Sequence, residues 1–265
     1  MAKIALGVEY DGSGFSGWQF QKHSPSVQAV LEAALSRVAD HPVSLWCAGR
    51  TDAGVHATGQ VVHFESTAPR TLRAWMLGAN AHLPPTVAVR WAHEVPAHFN
   101  ARFSATARTY HYLITNQPSR PALWHRRITW ELRPLSLERM ARAATALLGT
   151  HDFSSFRAAG CQARHPVRTV SRLDFQTGAG RSIRLCIEAN AFLHHMVRNI
   201  VGALLEVGRG EREEDWIATL LAARNRAQGG MTAPPDGLYL VGVHYPAEFG
   251  LPSDEPMLPD WLGWE

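Results

Sequence analysis

The order in which the hydrophobic period changes along this chain limits its fold more than any other feature. Lys3 to Tyr10 alternates apolar and polar residues, as a half-buried strand does. Ser26 to Ala39 then places Val27, Val30, Leu31, Ala34, Leu35 and Val38 at helical spacing, with Pro25 near its start. Strands are expected at 43–48 and 60–66, a helix at about 70–80 and a strand at about 86–95. The order β-α-β-β-α-β is that of a ferredoxin-like domain. A similar order recurs after residue 100. Strands near 106–115 and 124–132 precede a helix at about 136–148, then strands at 167–176 and 181–190, a helix at 193–207 and a strand at 237–246. An added helix is expected around 213–223. The pattern predicts an α+β fold, with two ferredoxin-like halves supplying a mostly antiparallel sheet flanked by helices. The expected boundaries are 1–100, 101–246 and an irregular tail at 247–265, acidic and carrying Trp261 and Trp264.

Composition excludes some classes. With 265 residues the chain can bury a large core. No apolar run approaches the roughly 20 residues of a membrane helix, and the start turns polar too soon for a secretory signal. Cys47, Cys161 and Cys186 show no Cys-x-x-Cys spacing, and any bridge leaves one unpaired, which fits a reducing cytoplasm. Of 26 basic residues only Lys3 and Lys22 are lysine. Arginine's planar fork suits phosphate and base contacts, although a GC-rich coding bias gives the same composition.

The run Arg50-Thr51-Asp52-Ala53-Gly54-Val55-His56-Ala57 sets a carboxylate between a cation and a glycine, on the loop joining two expected strands. Rigid strands presenting a polar loop are a common way to position a reactive group. An Asp that merely closes a turn is the plainer alternative. Arg198 lies on an apolar helix beside Ile200, Val201 and Leu204, where a buried arginine needs a carboxylate partner and a surface one does not. Tyr110 and Tyr112 share one face of an alternating strand, so at least one belongs to a core. His194 and His195 would point about 100° apart on a helix and suit no shared metal ion.

Five segments, in order and spanning about residues 3 to 246, resemble the tRNA pseudouridine synthase A family (TruA). They are Tyr10-Asp11-Gly12 with Gly17-Trp18-Gln19; the Asp52 octapeptide; Phe99 to Ala105 with Arg108-Thr109-Tyr110; Asp152 to Phe156 with Cys161-Gln162 and Pro166-Val167-Arg168; and Phe192 to Gly202. The resemblance implies a tRNA uridine isomerase acting at positions 38–40 of the anticodon stem-loop, without cofactor or metal, as a homodimer. It implies that Asp52 and Arg198 are catalytic and that Tyr110 and Leu238 meet the target base. It also implies that Arg50 helps hold that base out of its stem. Arg70, the segment Phe99-Asn100-Ala101-Arg102-Phe103 and the loop Gly160-Cys161-Gln162-Ala163-Arg164 are then RNA contacts. Each has a plainer reading: core packing for Leu238, a local ion pair for Arg50, solvated charge for the other arginines. Two other activities compete, a non-catalytic RNA-binding module and a nucleosidase with a carboxylate nucleophile. Neither finds support in a motif, since the RNA-recognition signature and a second paired acid are both missing from the sequence.

Overall fold

The computed structural model describes residues 1–252. The chain divides into two compact units. The first is Met1–Arg108 together with the chain from Tyr239 to the end of the described residues, and the second is Thr109–Leu238.

In the first unit the expected order appears as β1 (Ala2–Tyr10), α1 (Val27–Ala39), β2 (Trp46–Cys47), β3 (His56–Ser66), α2 (Leu72–His82) and β4 (Val87–Val95). β1 runs antiparallel to both β3 and β4. The helices start where side chains cap them: Ser26 Oγ accepts from the Ala29 N–H and Thr71 Oγ1 from the Ala74 N–H. Their apolar faces meet the sheet, as in the edge-on contact of Trp75 with Phe64 at 5.0 Å. The strand expected at 43–48 shrinks to two residues. The cause is local: Ser36 Oγ and Glu32 Oε1, both from α1, take the Val43 and Leu45 N–H groups.

The second unit contains β5 (Ala107–Thr115), β6 (Thr129–Trp130), α3 (Leu137–Ala144), β7 (Gly149–Asp152), β8 (Val167–Gly178), β9 (Ser182–Ala189), α4 (Met196–Gly208) and α5 (Trp216–Ala223). Its strand order is β5-β9-β8-β7, with β6 parallel on β5. The strand expected at 124–132 is only Thr129–Trp130, because Trp124 to Arg127 closes a turn instead. β7 is polar, short and absent from the sequence reading. It forms because the longer β8 offers it an antiparallel edge.

The strand expected at 237–246 is β10 (Leu238–His244). The sequence boundaries at 100 and 246 differ from those of the two units, which divide within β5 and β10. Hydrophobic period marks where an element ends and does not name its partner. β10 pairs in parallel with the first residues of β3, Tyr239 opposite His56 and Leu240 opposite Ala57, while β2 takes Val62 and His63 farther along. The expected tail is not all irregular. Ala247–Phe249 is a 3-10 turn, and Phe249 is buried with Ala5, Val61, Val95 and Phe99. Trp261, Trp264 and the rest of 253–265 lie outside the described residues.

Candidate active site

Asp52 is half-buried on the loop between β2 and β3, and Arg50 is exposed. The loop is held at its base and along its length. At the base, Gln60 Nε2 donates to the Gly49 carbonyl at 2.6 Å, and the Tyr10 and Thr51 hydroxyls share a bond of 2.8 Å. Both Tyr10 and Gln60 are buried; the Tyr10–Thr51 bond is shielded from water and costly to leave unmade, and the Gln60–Gly49 bond is partly so. Along the length, the Trp18 N–H donates to the Thr51 carbonyl and the Gly54 N–H to the Phe15 carbonyl. The segment 12–18 therefore lies directly on the loop. Two glycines permit this approach. A Cβ on Gly12 would stand 1.9 Å from the Val55 carbonyl oxygen. Gly17 has φ +102°, and its Cβ would meet the Thr51 oxygen at 2.9 Å.

Beyond the loop, His56 begins β3. Its ring stacks on Tyr239 at 4.6 Å, and its Nδ1 lies 3.2 Å from Asp11 Oδ1. Asp11 also accepts from the Ser13 N–H at 2.9 Å. The bond with His56, ahead of a burial effect of opposite sign, holds the Asp11 carboxyl well below the usual carboxylate range.

The turn Phe99–Ser104 belongs to the same unit. Asn100 Oδ1 accepts from the Arg102 and Phe103 N–H groups, Tyr245 donates to the Ala101 carbonyl, and the Ala101 N–H donates to His63 Nδ1. Arg108 adds a bond to the Arg102 carbonyl at 2.6 Å. Phe99 and Ala101 are buried, while Phe103 is 79% exposed beneath the Arg102 guanidinium. So much fixed backbone beneath an exposed aromatic ring makes a rigid platform. Arg70 is exposed and bonds the Val38 carbonyl, apart from this turn in sequence.

In the second unit, Arg198 is half-buried on the first turn of α4, with Nε donating to the Ala233 carbonyl at 2.8 Å. Next to it, buried Asn199 accepts from Arg226 and Thr232 and donates to the Phe156 carbonyl. Tyr110 is 8% exposed and meets Phe192 edge-on at 5.0 Å. Leu238 is buried where β10 begins. In the loop 160–164, Gly160, Gln162 and Arg164 are exposed, and Arg157 bonds the Cys161 and Ala163 carbonyls. One expectation needs correction. His194 and His195 do not lie on a helix: α4 starts at Met196, and His195 takes φ 61°. Their rings are 4.1 Å apart, so the divergence expected of adjacent helical residues does not apply to them.

A family model described as tRNA pseudouridine synthase matches residues 7–104 and 143–246. The chain belongs to the tRNA pseudouridine synthase family. Within it, the chain is 56% identical over 252 residues to tRNA pseudouridine synthase A of Methylococcus capsulatus, covering 95% of this chain and 93% of that one. The protein of the same name from Pseudomonas aeruginosa is 56% identical, covering 96% and 89%. That of Pectobacterium atrosepticum is 58% identical, covering 95% and 88%. The family match takes in Arg50, Asp52, Arg70 and 99–103 in its first segment and 160–164, Arg198 and Leu238 in its second. Tyr110 falls in the gap between them.

Asp11, His56 and Asn199 lie within the motifs that carry the resemblance but have no role assigned by them, and Gln60, Arg226 and Thr232 lie outside those motifs. A polar residue on the inward face of an apolar strand was the available signal for Gln60. Nothing local marks Arg226 or Thr232, whose partner is distant in sequence.

Proposed function

We propose that this protein isomerises uridine to pseudouridine in tRNA, at positions 38–40 of the anticodon stem-loop, with Asp52 as the reacting carboxylate. The observation that carries the reading is the match of more than nine-tenths of the chain, at 56% identity, to a protein named tRNA pseudouridine synthase A. A half-buried carboxylate on a braced loop agrees with it.

The reaction breaks the bond from ribose C1′ to uracil N1 and joins C1′ to C5. N1 gains a proton and C5 loses one, so no redox partner or external water enters the balance. The demand resembles the first step of a retaining glycosidase, in which a carboxylate meets an oxocarbenium-like centre. Asp52 either attacks C1′ or removes the C2′ proton. Arg198, half-buried on the first turn of α4, is the second catalytic residue and supplies a positive charge. Tyr110 and Leu238 meet the uracil ring. Arg50 occupies the space left by the flipped base, whose unstacking costs a few kcal/mol. Arg70, the 99–103 turn and the 160–164 loop contact the RNA backbone. No helix among the described residues is long and apolar enough to cross a membrane, and we assign the protein to the cytoplasm as a homodimer, where its substrate is found.

The test is transcript tRNA carrying tritium at uracil C5. Tritium released to water, with pseudouridine at 38–40, is the expected result. Free uracil would make the protein a nucleosidase, and binding without either product would make it a non-catalytic RNA-binding module.

A further inference from the structure

We propose that Asp11 and His56 are a positioning pair that fixes the base of the Asp52 loop, and so sets where the reacting carboxylate stands. The inference rests on the reading of Asp52 given above. Asp11 directly follows β1 and His56 opens β3, and the last registered pair of those strands is Tyr10 with Ala57. The contact between Asp11 and His56 thus lies where the two strands stop pairing, at the mouth of the loop.

His56 is 2% exposed, and its Nδ1 faces two groups: the Gly12 N–H at 3.1 Å and Asp11 Oδ1 at 3.2 Å. A ring nitrogen carries either a lone pair or a proton in the ring plane, so it cannot accept from the amide while donating to the carboxylate. The carboxylate wins this competition, because a hydrogen bond to an ionised group is about twice as strong as one between neutral groups. The lowering of the Asp11 pKa, which favours its ionised form, agrees with a bond of this kind. Nδ1 therefore holds the proton and gives it to Asp11. Stacking on Tyr239, with planes 19° apart, keeps the ring aimed along that line.

The pair fixes a distance that the rest of the loop depends on. The Tyr10–Thr51 bond and the contacts of Gly12 and Gly17 with residues 51–55 all originate in the segment that Asp11 anchors. If the pair is released, that segment and the start of β3 move apart, and Asp52 moves with them. A displacement near 1 Å at a reacting group costs on the order of 100-fold in rate. The Arg70 and 99–103 surfaces have bonds of their own and remain unchanged.

Asp11→Asn keeps the oxygen that caps Ser13 and removes the charge. His56→Asn keeps one polar atom near the position of Nδ1. Single-turnover tritium release at saturating tRNA is the main readout, with tRNA affinity measured beside it. Each variant is expected to lose about 10- to 100-fold in rate, to bind tRNA within about twofold of wild type, and the double variant to be no worse than the poorer single one. Nitrogen-15 spectra of histidine-labelled wild-type protein should show the proton on Nδ1 of His56, a readout that needs no variant to fold. A double variant whose loss is the product of the single losses, a defect confined to affinity, unchanged rates, or a bare Nδ1 in the wild type would each overturn the pair. Wild-type protein that releases no tritium defeats the functional reading instead, so the two failures are distinct.

Discussion

Residues 49–56 in the first unit and 157–164 in the second are both loops assigned to the substrate, and different forces hold them. The first is gripped by Gln60, by Tyr10 and by the backbone of 12–18, through bonds that are mostly buried and through glycines that leave no slack. The second is held by fewer and more exposed bonds: Arg157 Nη2 donates to the Cys161 and Ala163 carbonyls at 2.7 and 2.8 Å, the Ala158 N–H to the His194 carbonyl, the Cys161 N–H to the Ala158 carbonyl and the His194 N–H to Cys161 Sγ, while Gly160, Gln162 and Arg164 stay in solvent. Reacting atoms tolerate little displacement, so a loop that carries chemistry must be over-determined. A loop that meets a phosphate backbone gains from adapting to it, and a lighter set of bonds is enough.

The sharpest way to break that contrast is to remove chemistry and leave shape. Asp52→Asn is expected to lose at least about 1,000-fold in turnover, roughly 4 kcal/mol of barrier, with the fold and tRNA affinity retained. Turnover above a tenth of wild type would end the assignment.

The next test concerns the support of the two units and uses pH. Burial, foremost, lowers the pKa of His63 to about 4, and it does the same for His111. His63 accepts from the Ala101 N–H, whereas His111 Nδ1 has no hydrogen-bond partner among the described residues. A histidine whose folded pKa lies below its unfolded value of 6.5 stabilises the fold fully above pH 6.5, and that contribution is lost as pH falls toward 4. For His63 it amounts to about 2–3 kcal/mol. Denaturant midpoints should fall over that window in the wild type and fall less in His63→Asn. Parallel curves for the two proteins would remove His63 from the account.

Gly12→Ala probes the interlock itself. The new methyl meets the Val55 carbonyl, so a cost of about 1–3 kcal/mol is expected, seen as a Tm lower by several degrees and as slower turnover. An unchanged Tm and rate would show that the 12–18 segment does not brace the loop. The smallest effect belongs to the second loop. Arg157→Ala removes two hydrogen bonds and should weaken tRNA binding about 3- to 10-fold, on the order of 1 kcal/mol, with turnover at saturating tRNA unchanged. A fall in saturated turnover would mean that this loop, too, carries chemistry.

The elements with a long, clean period, β1, α1, β4 and α4, were legible in the sequence to within a few residues. β2 and β6 were overestimated because the N–H groups of Val43 and Leu45 and the turn at 124–127 have other uses, which hydrophobicity does not record. β7 went unseen because its support is an edge supplied by β8. Asp52 and Arg198 stood out through the segments around them. Asp11 and His56 did not, since their meaning arises from a contact between residues far apart in the sequence, and the same holds for Asn199 with Arg226 and Thr232.

The pairing of Tyr239 with His56 has a consequence for biosynthesis. Ribosomes deliver a polypeptide from its first residue, so β1, β3 and β4 emerge early, while β10 and Phe249 follow roughly 180 residues later. At about 5–20 residues per second the wait lasts roughly 10–40 s. Throughout it, the edge of β3 beside His56 lacks its strand, and the apolar face made by Ala5, Val61 and Phe99 lacks its cover. The nascent protein thus completes the β3 edge beside His56 only when β10 arrives, and chaperones have that interval in which to meet it.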